Sequence, residues 1–263
     1  MAFTIDKIRR ITAYAAAPKS AAENHGVAIA KDDILYTIKD VTGFSISNGG
    51  ETVDAVDGSG NIVETYLRSK TAEMSGENAI FDMPLAATMS GTKTTKGEVD
   101  INFHDIVTVA KSATTATLTK TPKIAPTVVY VVNGDGTLGE ALEVGEGKAV
   151  TIADGTLTFT TSPAVEDDVK VFVPYIYTET SATKFENFAD AAAIPSRVVV
   201  EGLGRDICEH HQVYFYITAP YAELSYDNEF GFETDGTYSF TINCKKPYCS
   251  EDGLYSVIVV DAE

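Results

Sequence analysis

Five side chains in the C-terminal third of the chain have the chemistry to bind zinc: Cys208, His210, His211, Cys244 and Cys249. Zinc sites usually draw cysteine and histidine ligands from closely spaced pairs. No pair here has the short spacing of a zinc knuckle, and the two adjacent histidines would point to opposite faces of a strand. Cys208 could act as a nucleophile beside His210, but the sequence offers neither a third orienting group nor an oxyanion hole. We therefore predict no metal site and no enzyme activity.

Gly134, Gly136 and Gly139 form the pattern G-x-G-x-x-G directly after the strand-like run 128–132. Dinucleotide-binding folds place such a loop before a helix whose N-terminus binds pyrophosphate. Only residues 140–143 separate this pattern from the next turn. This segment is too short to form that helix, and its two glutamates would repel phosphate. The pattern therefore predicts a hairpin turn and no cofactor.

Asp57, Ser59 and Asn61 have the alternating oxygen spacing that begins a calcium-binding loop. Such a loop needs glycine at its sixth position and glutamate at its twelfth. Here those positions hold Ile62 and Arg68, so the segment is predicted to be a turn without bound calcium.

The sequence is strongly acidic, with 38 acidic and 20 basic residues and a net charge of −18. Such a charge repels the phosphates of nucleic acids, so attraction to DNA is disfavoured. The aromatic run 214–216 does not change this expectation, because base-stacking surfaces are accompanied by lysine and arginine, and acidic residues lie near this run. We interpret the run as core and interface packing.

Three cysteines at irregular spacing fit reduced thiols in a cytoplasm better than a set of disulfides. Lys7, Arg9 and Arg10 precede the stretch 11–17, which is too short and too polar for a signal segment or a membrane span. The sequence therefore predicts a soluble protein without a membrane partner.

Alternation of apolar and polar residues dominates the chain and is clearest over 237–243. Asn-Gly and Asp-Gly pairs separate the alternating runs and are typical of tight turns. The pattern predicts a mainly β fold, an antiparallel sandwich or barrel. One short helix is predicted over 83–90, capped by Asp82 and ended by Gly91.

Two threonine-rich segments indicate borders within the chain, one near 121–126 and one near 178–183. We predict one β-sandwich domain built from 1–120 and 179–263. A small β domain, 121–178, is predicted to be inserted between these two parts, and two sequential domains are the alternative.

Several segments resemble structural proteins of tailed bacteriophages. The longest, Val53–Gly91, is similar to the core of tail tube (major tail) proteins, in which a strand pair is followed by a short helix and a glycine. The segments 149–159, 169–177 and 182–188 are similar to phage virion proteins.

The resemblance implies a β-sandwich subunit that assembles with itself into hexameric rings, which stack into a tube that DNA passes through. It also implies other virion proteins as partners, a place in the virion tail and assembly in the host cytoplasm. An acidic conduit would let DNA slide without specific binding, because both carry negative charge.

Within that tube model, we predict that the glycine- and aspartate-rich loop Asn48–Asn61 contacts the adjacent ring. Its composition leaves little to fold it alone, so we expect it to become ordered on contact. The predicted contact residues are Asn48, Gly49, Gly50, Glu51, Asp57, Gly58, Ser59, Gly60 and Asn61.

Two other functions remain open at this stage. A capsid decoration or head-associated structural protein would have a similar composition. A carbohydrate-binding β-sandwich is the alternative from a different class, and such modules usually expose aromatic side chains.

Overall fold

The computed structural model describes residues 2–227, 236–247, 250–251 and 253–261. These residues form one helix and fifteen strands. The first part of the chain contains β1 (Phe3–Ala15), β2 (Ile34–Lys39), β3 (Val41–Val56), β4 (Ile62–Asn78), α1 (Met83–Met89), β5 (Thr95–Val109), β6 (Thr115–Thr117) and β7 (Val128–Val132). The second part contains β8 (Leu138–Glu143), β9 (Val150–Ala153), β10 (Thr156–Phe159), β11 (Val169–Lys184), β12 (Ser196–Asp206), β13 (Gln212–Leu224), β14 (Tyr238–Cys244) and β15 (Ser256–Asp261). The predicted mainly β, antiparallel fold is confirmed.

The chain divides into two compact units. Unit 1 comprises Met1–Thr95 and Phe185–Glu263, and unit 2 comprises Lys96–Lys184. Unit 2 is longer than the predicted insert of 121–178, because β5 pairs with β11 and β6 pairs with β10. The borders between compact units therefore differ from the domain borders expected from the threonine-rich segments.

Unit 1 is built on one sheet with the strand order β2-β1-β12-β13-β14-β4-β3. Strand β13 pairs with two further strands besides β12. Its residues 213–218 pair with β15, and its residues 222–224 pair with β14. The first and last strands of this order, β2 and β3, are consecutive in the chain. Only Asp40, with a φ of 57°, separates them. The sheet thus bends back over its own core as a sandwich.

The core of unit 1 is apolar and draws side chains from most of its strands. Ile11, Met74, Val200, Phe215 and Phe240 are all buried in one cluster. Strand β14 alternates buried and partly or fully exposed side chains, as its sequence predicted. The packing interpretation of the aromatic run on β13 holds for Phe215, which is buried in this core.

Helix α1 begins where its sequence predicts and ends one residue earlier, at Met89, with Ser90 as its C-cap. The side chain of Asp82 accepts a hydrogen bond from the backbone N–H of Leu85 at 2.8 Å, and Pro84 lies in the first turn. Gly91 follows the helix with a φ of +71°, which favours glycine. The predicted capped helix is confirmed.

Unit 2 contains a four-stranded sheet, β5-β11-β7-β8, and a three-stranded sheet, β6-β10-β9. Its own core includes Val109, Val129 and Leu157. Strands β7 and β8 pair around a turn at 133–137, so the glycine pattern forms the predicted hairpin. Antiparallel hairpins connect strands without the helix that a dinucleotide site requires.

Gly202 leaves space for the ring of Phe215 on the neighbouring strand. The two residues lie opposite each other in the β12–β13 ladder, and a Cβ at Gly202 would lie 1.9 Å from the ring Cζ. We expect Gly202→Ala to lower the free energy of unfolding by about 1–3 kcal/mol through overpacking. Urea denaturation followed by circular dichroism measures this loss.

A double-mutant cycle supplies the control. Phe215→Leu shortens the opposing side chain, so the two substitutions together should cost less than the sum of their separate effects. Strict additivity would contradict the packing explanation.

Candidate assembly surface

The long hairpin of β3 and β4 extends beyond the strand that covers it. The two strands pair from Val41–Asn78 at the base to Val56–Ile62 at the tip. Strand β14 pairs with β4 only over 72–78. Residues 47–71, which we call the arm, form a two-stranded ribbon without a third strand among the described residues.

The tip of the arm is a tight turn organised by one carboxylate. The Asp57 Oδ1 accepts hydrogen bonds from the backbone N–H groups of Ser59 and Asn61, each at 2.8 Å. Gly60 has a φ of +83°, which favours glycine. The predicted turn is confirmed, and the Asp57 oxygens are directed to neighbouring amides.

The nine predicted contact residues all lie in the arm, but most of the segment is not a loop. Residues 48–51 belong to β3, and only 57–61 form the turn. Gly49 fits this ladder because a Cβ there would lie 2.6 Å from the Thr71 Oγ1. The expectation that residues 48–56 lack structure of their own is therefore wrong, whereas their contact role stays a prediction.

Apolar side chains lie on both faces of the arm. Val53 is opposite Tyr66, and the next pair, Thr52 and Leu67, points to the other face. Six large apolar side chains of the arm are 46–68% exposed: Val53, Val56, Ile62, Val63, Tyr66 and Leu67. An exposed apolar surface of this kind is typical of an interaction site.

The predicted contact residues leave out the returning strand, β4, of this surface. The hairpin signal was present, because β-prone runs at 53–56 and 62–67 flank an Asp-Gly pair. The predicted contact set ended at Asn61 and so omitted Tyr66 and Leu67.

Polar contacts between the two strands stabilise the outer part of the arm, and one contact joins its base to the rest of unit 1. Arg68 forms an ion pair with Glu51 at 3.1 Å, and Thr65 donates a hydrogen bond to Asp54 at 2.6 Å. Both contacts are exposed, and exposed ion pairs contribute little to stability. At the base, the amide of Asn48 donates to the hydroxyl of Tyr255 at 3.0 Å.

The cysteine and histidine residues are not gathered into one site in the part of the chain that the structure describes. Cys244 is buried, which raises the pKa of its thiol to about 11 and disfavours the thiolate. The Nε2 of His211 lies 3.0 Å from an Asp261 carboxylate oxygen, and this hydrogen bond raises the pKa of the imidazole. Cys208 is exposed, and Cys249 lies outside the described residues.

Within the described ranges, no helix is long and apolar enough to cross a membrane. No cluster of three or more metal-ligating side chains occurs there either. Among the described residues, the arm holds six of the exposed large apolar side chains.

A protein-family model described as the YomU/Tube protein family matches residues 23–252. This range includes the whole arm, helix α1 and unit 2. A comparison with curated proteins finds no match.

The turn at the arm tip generates a titration prediction. The backbone N–H of Asn61, then its side-chain amide and the N–H of Ser59, hold the pKa of Asp57 below its ordinary 3.8. These bonds favour the charged form, so their stabilisation is complete above the ordinary pKa and is lost as pH falls through the lowered one.

Carbon-detected NMR of the Asp57 carboxyl group measures this pKa in the full chain. As a control, Asn61→Gly keeps the backbone donor but removes the side-chain amide, so the pKa should rise only partly. A value at or above the ordinary pKa in the unaltered protein would show that the turn is not held as described.

Proposed function

This chain belongs to the YomU/Tube protein family and is a phage tail tube protein or a closely related virion structural protein, and we propose that it forms hexameric rings. The rings stack into a hollow tube in the virion tail, and DNA passes through the tube. The chain contacts copies of itself and other virion proteins, and the tube is assembled in the host cytoplasm.

The observation that carries the self-assembly proposal is the uncovered arm. An apolar ribbon with free strand edges would aggregate without control in a protein that stays alone. Contact with a neighbouring subunit removes Val53, Tyr66 and Leu67 from water and gives the edges hydrogen-bond partners. The nine predicted contact residues, Asn48 to Glu51 and Asp57 to Asn61, lie on the same ribbon and share this role.

The charge of the chain supports the conduit proposal. A net charge of −18 for each subunit gives a tube wall that repels the phosphates of DNA. DNA inside such a wall slides without adhesion. An acidic wall does not neutralise phosphates, so no counterions are released to favour binding. DNA is therefore a passing cargo and not a specifically bound ligand.

The arm proposal predicts that a shortened arm abolishes assembly without unfolding the subunit. Deleting Gly49–Ser59 removes much of β3 and the turn, whereas the core of unit 1 lies at the base of the hairpin. We expect a circular dichroism spectrum and melting temperature close to those of the intact chain. Sedimentation velocity should find monomers where the intact chain forms rings or tubes.

A point substitution gives a matched comparison for the deletion. Leu67→Asp places a charge on the arm, and Leu138→Asp places one at a comparably exposed leucine of unit 2. Assembly should fail for the first and persist for the second, because burying an unpaired carboxylate is costly. Tubes of normal length from Leu67→Asp or from the deletion would contradict the proposal.

The conduit proposal predicts no adhesion to DNA. Assembled protein should leave the electrophoretic mobility of double-stranded DNA unchanged at about 0.15 M salt and also at about 0.01 M, where charge interactions act over a longer range. Retardation at low salt that disappears at high salt would instead reveal a basic DNA-binding surface.

A further inference from the structure

A groove of about 520 Å³ lies between β1 and β3 of unit 1. Its walls are residues 5–8 of β1 and 41–46 of β3, and its floor is formed by Phe215 and Ile217 of β13. Both floor side chains belong to the apolar core and are buried, so the groove ends on the surface of that core.

Two free strand edges face each other across this groove. Strand β1 pairs with β12 along its length, but β2 covers its other edge only over 10–14. Residues 41–46 of β3 pair with β4 on one edge. Among the described residues, no ladder joins residues 3–9 to 41–46, so the sheet is incomplete at this point. Open edges of this kind accept an added strand from another chain.

We propose that this groove receives the apolar tip of the arm from a second copy of the chain. The proposal rests on the self-assembly proposed above and names the surface that the arm contacts. The tip presents Val56, Ile62 and Val63, which are 60%, 63% and 68% exposed. Ile5, which is 65% exposed on the groove wall, is the matching apolar side chain.

The arm cannot fill the groove of its own subunit. Residues 41–46 form the groove wall, and the same strand continues away from it to Val56 at the tip. Ten residues of extended strand span about 33 Å. Folding back would break the β3–β4 ladder, so the occupant must come from another copy.

The charges of the two surfaces are complementary. The arm carries four acidic and two basic residues. Residues 3–9 of β1, beside the groove, carry Lys7 and Arg9 against Asp6, and Arg10 is paired with Glu201 of β12 at 2.7 Å. Opposite net charges steer association and fix the orientation of a contact.

The contact joins two different surfaces and is therefore heterologous. A heterologous contact repeats from copy to copy, and it generates closed rings or open stacks according to its rotation. One arm and one groove for each subunit allow every copy to use both. Such a contact supplies one of the two kinds of interface, within a ring or between rings, that a tube of stacked rings requires.

Photocrosslinking in the full-length protein tests the contact directly. A benzoylphenylalanine residue replaces Val63 at the exposed tip, and mass spectrometry maps the crosslinked residues after irradiation. We expect intermolecular crosslinks to residues 5–8 or 41–46. Crosslinks that map elsewhere in assembled tubes would overturn the groove and leave the tube function intact.

The same experiment separates the two proposals when tubes are absent. Crosslinked dimers joined through the groove, without tubes, would support the groove and contradict the tube. Neither tubes nor groove crosslinks would overturn both.

A matched pair of substitutions provides the second measurement. Ile5→Lys charges the groove wall, and Ile80→Lys charges an isoleucine of nearly equal exposure, 63%, outside the groove. Because both side chains are exposed, neither variant should unfold. We expect the crosslink yield to fall about tenfold for Ile5→Lys, since an ammonium group in an apolar groove is poorly solvated, and to stay unchanged for Ile80→Lys. Equal yields from both variants would contradict the groove as the docking surface.

Discussion

The β3–β4 hairpin extends beyond β14, the strand that pairs with it, and the proposed assembly depends on this difference in length. Strand β14 supports the hairpin only up to Ala72, and the arm continues beyond that point with apolar side chains on both faces. Isolated two-stranded ribbons are at best marginally stable in water. The subunit therefore exposes a surface that, in the proposed assembly, another copy covers.

The preformed geometry of the arm also bears on the energetics of assembly. A segment that orders on contact must lose its conformational entropy at that moment. The arm has already formed its ladder, and Asp57 has already organised its turn. Less entropy is then lost on docking, so more of the apolar burial contributes to affinity.

The sequence predicted those structural features that depend on interactions between residues close together in the chain. The alternation over 237–243, the Asp82 cap of α1 and the hairpin turn at 133–137 each depend on residues close in the chain. The strand character of Gly49 and Gly50 was missed, because it depends on the partners Thr71 and Lys70 on the returning strand.

The remaining features depend on long-range pairing and were not predictable from composition. The extent of unit 2 follows from β5 pairing with β11, which lies some sixty residues further along the chain. The groove exists because β2 stops short along β1, and a missing pair leaves no pattern in the sequence. The assembly role itself came first from the resemblance of Val53–Gly91 to tube proteins and was then supported by the family match.

Electron cryo-microscopy of the assembled protein would show directly whether the arm joins subunits. We expect rings of six subunits in which residues 47–71 of each subunit lie against a neighbour. Monomeric particles, or rings in which the arm contacts no other subunit, would contradict this expectation.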